Sequence, residues 1–274
     1  AKLIETLKIN TWRNISTMVV DMLSDPDIDQ YDISSLTGIG GGGAAMPAAV
    51  SAKLQQKTGL IYMEGYGLSE TIAATHANPP NACKPQCLGI PFIGVDSRVI
   101  DVETLKEVEC GVTGEIIMRG EQIFQGYWNR PEATEEAFVV VDGERFFRSG
   151  DLGYYDEEGY FFLVDRVKRM INASGFKVWP AEVESLMYAH PSIQEVCIIS
   201  VPHERRGETV KAVVVLAAGQ QSTSEQDIIN WCQENMAAYK CPQIVAFAES
   251  IPKSPAGKIM WRHLQDVEWG RAEA

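Results

Sequence analysis

Apolar positions along this chain change period from stretch to stretch, and each change marks a different kind of structure. From Ile15 to Leu23 the residues Met18, Val19, Met22 and Leu23 recur at helical spacing, and Pro26 stops the segment. A glycine turn at 38–43 follows, then a second predicted helix at 44–57 closed by Gly59, then a short buried strand at 60–63 that delivers Tyr66 and Gly67 at its end. Helix, glycine turn, helix, strand and loop in that order predict a wound α/β layer. After Pro79-Pro80 the pattern becomes short strands parted by turns, at 97–102, 115–118, 146–148 and 160–164, which predicts a small antiparallel sheet or barrel. Beyond Arg166 it changes again. A helix opens with Pro180 in its first turn, strands follow at 196–201 and 211–216, then a helix from 224 to about 239 and a strand at 244–248. The fold class is therefore α/β, with residues 1–167 expected as one domain and 168–274 as a small α+β domain.

The 274 residues allow about two domains and a sizeable core. A formal net charge of −13 argues against broad binding to nucleic acid or to an anionic membrane, so any anionic ligand must be gripped by local groups. No apolar run approaches the roughly 18 residues of a spanning helix. The opening Ala1-Lys2-Leu3-Ile4-Glu5-Thr6 reads as an amphipathic helix and not a signal peptide. Six cysteines without framework spacing fit reduced thiols in a cytoplasm. Cys83 and Cys87 have no second Cys/His pair at ligand spacing, so they do not make a metal site.

Chemistry concentrates at punctuated segments. In 64–71 two glycines let backbone approach a ligand, Tyr66 offers a flat face to a purine, Ser69 can donate to a phosphate oxygen, and Glu70 is a hard ligand suited to Mg²⁺; a glycine turn with a surface Glu is the plain alternative. The run Gly40 to Gly43 with Ala44 resembles a phosphate cradle. It lacks the Gly-Lys-Ser/Thr ending of a P-loop, so close packing against an adenine ring at Gly42, Gly43 and Ala44 stands beside a simple tight turn. Asp151, in Ser149-Gly150-Asp151 between predicted strands, can accept both hydroxyls of a ribose, although an Asp in a turn is more often only a turn former. Arg166 can clamp ribose or phosphate, or form a surface salt bridge. Lys258, after Pro252-Lys253-Ser254-Pro255-Ala256-Gly257, suits an active-site lysine delivered from a mobile unit, although an exposed lysine at a helix start is the commoner case.

Taken in order, and with Gly126-Tyr127-Trp128-Asn129-Arg130-Pro131-Glu132-Ala133-Thr134 and Gly175-Phe176-Lys177-Val178-Trp179-Pro180-Ala181-Glu182-Val183-Glu184, these segments resemble the adenylate-forming superfamily of acyl-CoA synthetases, luciferases and peptide-synthetase adenylation domains. The resemblance runs over essentially the whole chain. It implies a large domain of wound α/β layer plus small β-barrel followed by a mobile lid, and a ligase that uses ATP and Mg²⁺ to make an acyl adenylate and then acylates coenzyme A. By motif position Tyr66 would stack on adenine, Gly67 would line the same loop, Ser69 would touch the α-phosphate and Glu70 would hold Mg²⁺. Asp151 and Arg166 would bind the ribose, and Lys258 would bridge carboxylate and α-phosphate. Lys168 would be the hinge, and Gly175 and Phe176 would admit the pantetheine arm.

The resemblance also implies limits. No segment matches the family's Ser/Thr/Gly-rich phosphate loop, so the chain is expected to be the C-terminal half of a longer enzyme, missing its N-terminal half and inactive alone. Ala256 stands where many relatives carry a hydroxyl. The opening stretch 10–21 and the glycine run look most like bacterial fatty acyl-CoA synthetases, with Thr17, Met18, Ile39 and Gly40 near an acyl tunnel and a fatty acid or similar monocarboxylate as substrate. A fatty acyl-AMP ligase, a peptide-synthetase module and a non-catalytic nucleotide-binding fragment remain open beside it. Arg205 and Arg206 would meet a 3′-phosphate of coenzyme A or simply form a solvated loop.

Overall fold

Pro47 decides where the second long helix begins. In the computed structural model, which describes residues 1–43, 45–173, 175–205 and 207–272, Pro47 is extended (φ −59°, ψ 138°) and the helix runs Ala48–Thr58, shorter at its start than the expected 44–57. Gly59 ends it in the left-handed region at φ 72°, its N–H reaching the Gln55 carbonyl. The helix Ser16–Ser24 lies against it. Both pack against elements far along the chain, the helix on Pro180–Met187 and the strand Ile193–His203, so that Val19, Val20 and Leu54 share one core with Val183, Met187, Val196 and Ile198. Residues 1–39 and 46–62 therefore group with 169–274 in one compact unit, and residues 40–45 and 63–168 form the other. The expected division placed 1–62 with the residues up to 167.

In the first unit the strands Ile193–His203 and Gly207–Leu216 form a long antiparallel hairpin. Ile244–Phe247 pairs parallel to its second arm, and the short strands Ile171–Ala173 and Phe176–Val178 lie beside it. The helix expected at 224–239 runs Glu225–Asn235. Ser224 caps it by accepting from Asp227 N–H while Asp227 reaches back, and an extended Met236 ends it.

In the second unit Gly114–Arg119 is the central strand of an antiparallel sheet, between Asp96–Ile100 and Glu144–Tyr155, with Phe161–Arg166 and Phe138–Val141 pairing to the latter. Its side chains alternate between two cores. Ile116 and Met118 pack with Tyr66, Val99, Phe147 and Phe161, whereas Ile117 packs with Ile100, Val141 and Phe146. Each fully buried side chain of this kind contributes about 1.5–3 kcal/mol, which makes this strand a rigid support for what hangs on its neighbour. Tyr66, expected in a loop after a strand, is the last residue of the strand Tyr62–Tyr66 and pairs with His76.

Candidate functional site

Ser149-Gly150-Asp151 is a bulge inside one long strand, not a turn between two. Glu115 pairs with Leu152 and Ile117 with Arg148, so three residues of Glu144–Tyr155 stand opposite Ile116 alone. Gly150 takes φ 70°, a conformation that favours glycine. Glu115, 2% exposed, holds the bulge closed: Oε1 accepts Gly150 N–H at 3.1 Å, and Oε2 accepts Arg148 Nη2 at 2.6 Å and Nε at 3.0 Å. Ser149 Oγ donates to the Ile116 carbonyl at 2.6 Å and accepts Asp151 N–H at 3.0 Å.

The bulge delivers Asp151 into the interior, 2% exposed, where its Oδ2 accepts the Tyr66 hydroxyl at 2.6 Å. A second irregularity supplies the cation. Leu163 pairs with Gly153, but Asp165 pairs with Leu152 and Arg166 with Asp151. Without that extra residue Asp165 would face Asp151 and two carboxylates would meet. With it, the half-exposed Arg166 brings Nε to 2.8 Å from Oδ1. That approach is an ion pair and not an aligned hydrogen bond, so Oδ1 is buried with an acceptor direction unused. Burial pushes the Asp151 carboxyl above its ordinary range, against the pull of Arg166 and the Tyr66 hydroxyl, and burial also pushes the Tyr66 phenol well up.

Asp151→Asn tests this site in two directions. The amide keeps an acceptor for Tyr66 but removes a charge that the fold disfavours, so the variant is expected to melt higher than the wild type at pH 7. Because the folded pKa of Asp151 is raised, its ionisation costs stability as pH climbs from the ordinary carboxylate value through the raised one. The gap between the two proteins should therefore close on titration down to about pH 4. The ribose contact expected of Asp151 would add a second outcome, binding of an adenosine nucleotide weakened by about tenfold or more, the loss expected for a hydrogen bond to a charged acceptor. Thermal melts across pH and calorimetry with AMP check the pair of outcomes.

Tyr66 is more enclosed than a purine plate requires. It is 8% exposed, with its ring edge-on to His76 at 5.6 Å, and its visible task is to hold Asp151. His76 is fully buried between Tyr66 and Phe161, its nitrogens beside Thr75 and Ser97 hydroxyls, and burial pushes its pKa down to about 4, so the ring is neutral.

The segment after Tyr66 is drawn tight by Thr71, whose hydroxyl accepts Leu68 N–H at 2.9 Å and lies 2.8 Å from the Ala73 carbonyl. Gly67 is needed because a Cβ there would stand 2.6 Å from that same carbonyl. Ser69 is exposed at the head of the short turn Ser69–Thr71. Glu70 Oε1 accepts the Tyr127 hydroxyl at 2.9 Å, and its backbone carbonyl accepts Phe124 N–H at 2.8 Å. Gly42 packs on the strand that carries Tyr66, where a Cβ would meet the Gly65 carbonyl at 2.2 Å, and Gly43 takes φ 89°. Ala44 lies outside the described residues.

Lys258, Gly175 and Phe176 belong to the other unit. Lys258 sits in a tight hairpin: Lys253 bridges to Ile259, Ser254 N–H donates to the Lys258 carbonyl, and Gly257 turns at φ 76°. The Thr17 hydroxyl donates to the Gly257 carbonyl at 2.9 Å, and a Cβ on Gly257 would stand 2.8 Å from Ile15. Lys253 is ion-paired to Glu195 at 2.7 Å, whereas Lys258 is exposed and its ammonium has no ion pair among the described residues. Gly175 takes φ 88° with open space where a Cβ would be, so backbone conformation and not crowding calls for glycine. Phe176, 56% exposed, stacks on Tyr239 at 5.0 Å beside a cavity of about 390 Å³ also lined by Gln233, Cys241 and Gln243. Met18 is half exposed and Ile39 is fully buried. Lys168 is exposed in the turn Val167–Arg169, and Arg205 is exposed, with Arg206 outside the described residues.

Glu115, Thr71 and Tyr127 had not been singled out as functional residues. Among the described residues no three His, Cys, Asp or Glu side chains gather as a metal site, and no helix is long and apolar enough to cross a membrane. Glu70 as a lone carboxylate fits Mg²⁺ nonetheless, because that ion keeps several waters and takes much of its shell from phosphates.

Residues 1–128 match the AMP-binding enzyme family, and residues 182–258 match the AMP-binding enzyme C-terminal domain. A long-chain-fatty-acid–CoA ligase of Bacillus subtilis (strain 168) is 39% identical over 268 residues, which is 97% of this chain and 47% of that protein. Among solved structures, ATP-bound MatB from Rhodopseudomonas palustris superimposes with a TM-score of 0.89 at 31% identity, covering 99% of this chain and 54% of that one. The anthranilate CoA ligase AuaEII in complex with anthranoyl-AMP gives a TM-score of 0.87 at 30% identity, covering 97% and 51%. The chain thus spans about half the length of the relatives it matches.

Proposed function

The chain belongs to the AMP-binding enzyme family of the adenylate-forming superfamily, and from that premise we propose that it serves an ATP-dependent ligase that joins a fatty acid to coenzyme A through an acyl adenylate. Asp151 carries the reading. A carboxylate 2% exposed, seated by a bulge and backed by an arginine, with one oxygen lacking an aligned donor, suits the paired hydroxyls of a ribose. A structural aspartate in a turn would need none of that support. The fatty acid is supported by the likeness to the Bacillus ligase and by Met18 exposed on the helix that touches the Lys258 hairpin. Six unpaired cysteines support a reducing compartment, the cytoplasm.

In the adenylation step a carboxylate oxygen attacks the α-phosphorus and pyrophosphate leaves. Asp151 and Arg166 orient the ribose, Ser69 donates to the α-phosphate, and Lys258 neutralises the negative charge that two approaching anions concentrate. Mg²⁺ held at Glu70 would draw charge from the phosphate oxygens. For the second step the thiol of coenzyme A attacks the acyl carbon and AMP leaves. We place the hinge between these steps at Lys168, because Arg166 is fixed to Asp151 and Arg169 to Glu184, which leaves 167 and 168 as the turning residues. The ring pair Phe176–Tyr239 and its cavity would then receive the pantetheine arm.

Calorimetry with a non-hydrolysable dodecanoyl-adenylate analogue and with AMP tests the reading on this chain. Tighter binding of the acyl analogue than of AMP is expected, both weakened in Asp151→Asn. No binding of either ligand, or binding untouched by that substitution, would sink it. Thioester formation with coenzyme A, in this chain joined to the remaining half of a long-chain relative, separates a CoA ligase from an enzyme that stops at the adenylate.

A further inference from the structure

Glu70 is gripped twice by one segment. Phe124 N–H takes its backbone carbonyl at 2.8 Å and the Tyr127 hydroxyl takes Oε1 at 2.9 Å, while among the described residues Oε2 has no hydrogen-bond partner. A chance bond between two surface side chains would not need the construction that surrounds Tyr127. Its N–H donates to Thr134 Oγ1 at 2.9 Å, and that hydroxyl donates to the Arg130 carbonyl at 2.8 Å, which ties the turn to the first residues of the helix Pro131–Glu136. Gly126 cannot carry a side chain here, since a Cβ would stand 2.5 Å from Thr134. The Tyr127 ring packs edge-on to Phe124 at 4.9 Å, and Phe124 is in turn wedged against Phe138 and Phe147 of the sheet core.

We infer that Tyr127 is a positioning residue for the Glu70 carboxylate: its hydroxyl fixes one oxygen so that the other faces a divalent cation carried in with the triphosphate. The inference rests on the Glu70 role proposed above. The Glu70 side chain unaided would sample several rotamers, and a bond that selects one removes that freedom before the cation arrives. The bond also spares Oε2, the oxygen a cation would use.

The test is the gain in ATP affinity that Mn²⁺ confers on the 274-residue chain. It is measured as the ratio of Kd in EDTA to Kd with Mn²⁺, with water-proton relaxation reporting the bound ion directly. Tyr127→Phe removes the hydroxyl and keeps the ring on Phe124, so its melting temperature should match the wild type. The Mn²⁺-dependent gain should fall by about tenfold, as for loss of a partner behind a metal ligand, with ATP affinity in EDTA unchanged. Glu70→Gln should lose the gain almost entirely. If the wild type shows a gain and Tyr127→Phe keeps it in full, the positioning role is overturned while the Glu70 reading survives. If the wild type shows no gain, or Glu70→Gln retains it, the Glu70 reading falls and takes this inference with it.

Discussion

Replacing Lys258 with alanine, in an enzyme that joins this chain to the remaining half of a long-chain relative, is expected to slow adenylate formation by about 10²–10³-fold. Transfer to coenzyme A from a supplied acyl adenylate should stay within about threefold of wild type, because the role proposed for Lys258 lies in the first step alone. Two lysines share this hairpin, and only one has a compensated charge among the described residues. Lys253 is committed to Glu195 at 2.7 Å and has a second carboxylate, Asp21, at 3.5 Å, so its charge is already compensated. Lys258, held by the Gly257 turn and the bridge from Lys253 to Ile259, presents an exposed ammonium without an ion pair among the described residues. A charge left uncompensated is available to a transition state that concentrates negative charge, and removing it costs more there than in the ground state. Equal loss in both half-reactions would mean that the substitution disturbs the lid as a whole. No loss in adenylation would remove the lysine from the mechanism.

Features carried by short stretches were legible in the sequence. The proline and glycine punctuation before Lys258 predicted turns ahead of a short amphipathic segment, and the structure has a hairpin with a left-handed Gly257 followed by the helix Trp261–Glu268. Features carried by pairing between strands were not. Ser149-Gly150-Asp151 looked like a turn because a bulge and a turn use the same residue types, and only the pairing of Glu115 with Leu152 and of Ile117 with Arg148 separates them. Glu115 at the start of an apolar run reads as the solvated end of a strand. It is buried because Arg148, 33 residues on, meets its carboxylate from the neighbouring strand. Tyr66 was expected to offer its ring, whereas the structure shows its hydroxyl on Asp151, and no local pattern reveals a partner 85 residues away. The grouping of residues 1–39 with the C-terminal elements was hidden for the same reason, since helix periodicity states that a face is buried and not against what.

Removing the carboxylate of Glu184 should cost the unit that contains it about 3 kcal/mol, the lower end of the range for breaking a buried pair by deleting one partner. Arg169 is the first residue after the proposed hinge, and it meets Glu184 with Nη2 at 2.6 Å from Oε1 and Nη1 at 3.3 Å from Oε2, the two side chains 12% and 17% exposed. Glu184 Oε1 also accepts Ile198 N–H at 2.8 Å, and Arg169 Nη2 donates to the Ile198 carbonyl at 3.2 Å, so helix Pro180–Met187 and strand Ile193–His203 are joined through this pair. The guanidinium further lies 5.4 Å from the ring of Trp261, the first residue of the helix that follows the Lys258 hairpin. One arginine therefore connects residue 169 to the segment that presents Lys258, and the proposed rotation at Lys168 would carry the lysine as a rigid load only while that connection holds. Urea unfolding should report the loss in Glu184→Ala, and Glu184→Gln, which keeps acceptors for Ile198 and for one arm of Arg169, should lose roughly half as much. A cost below about 0.5 kcal/mol for the alanine would place the pair among ordinary surface bridges and leave the lid without this connection.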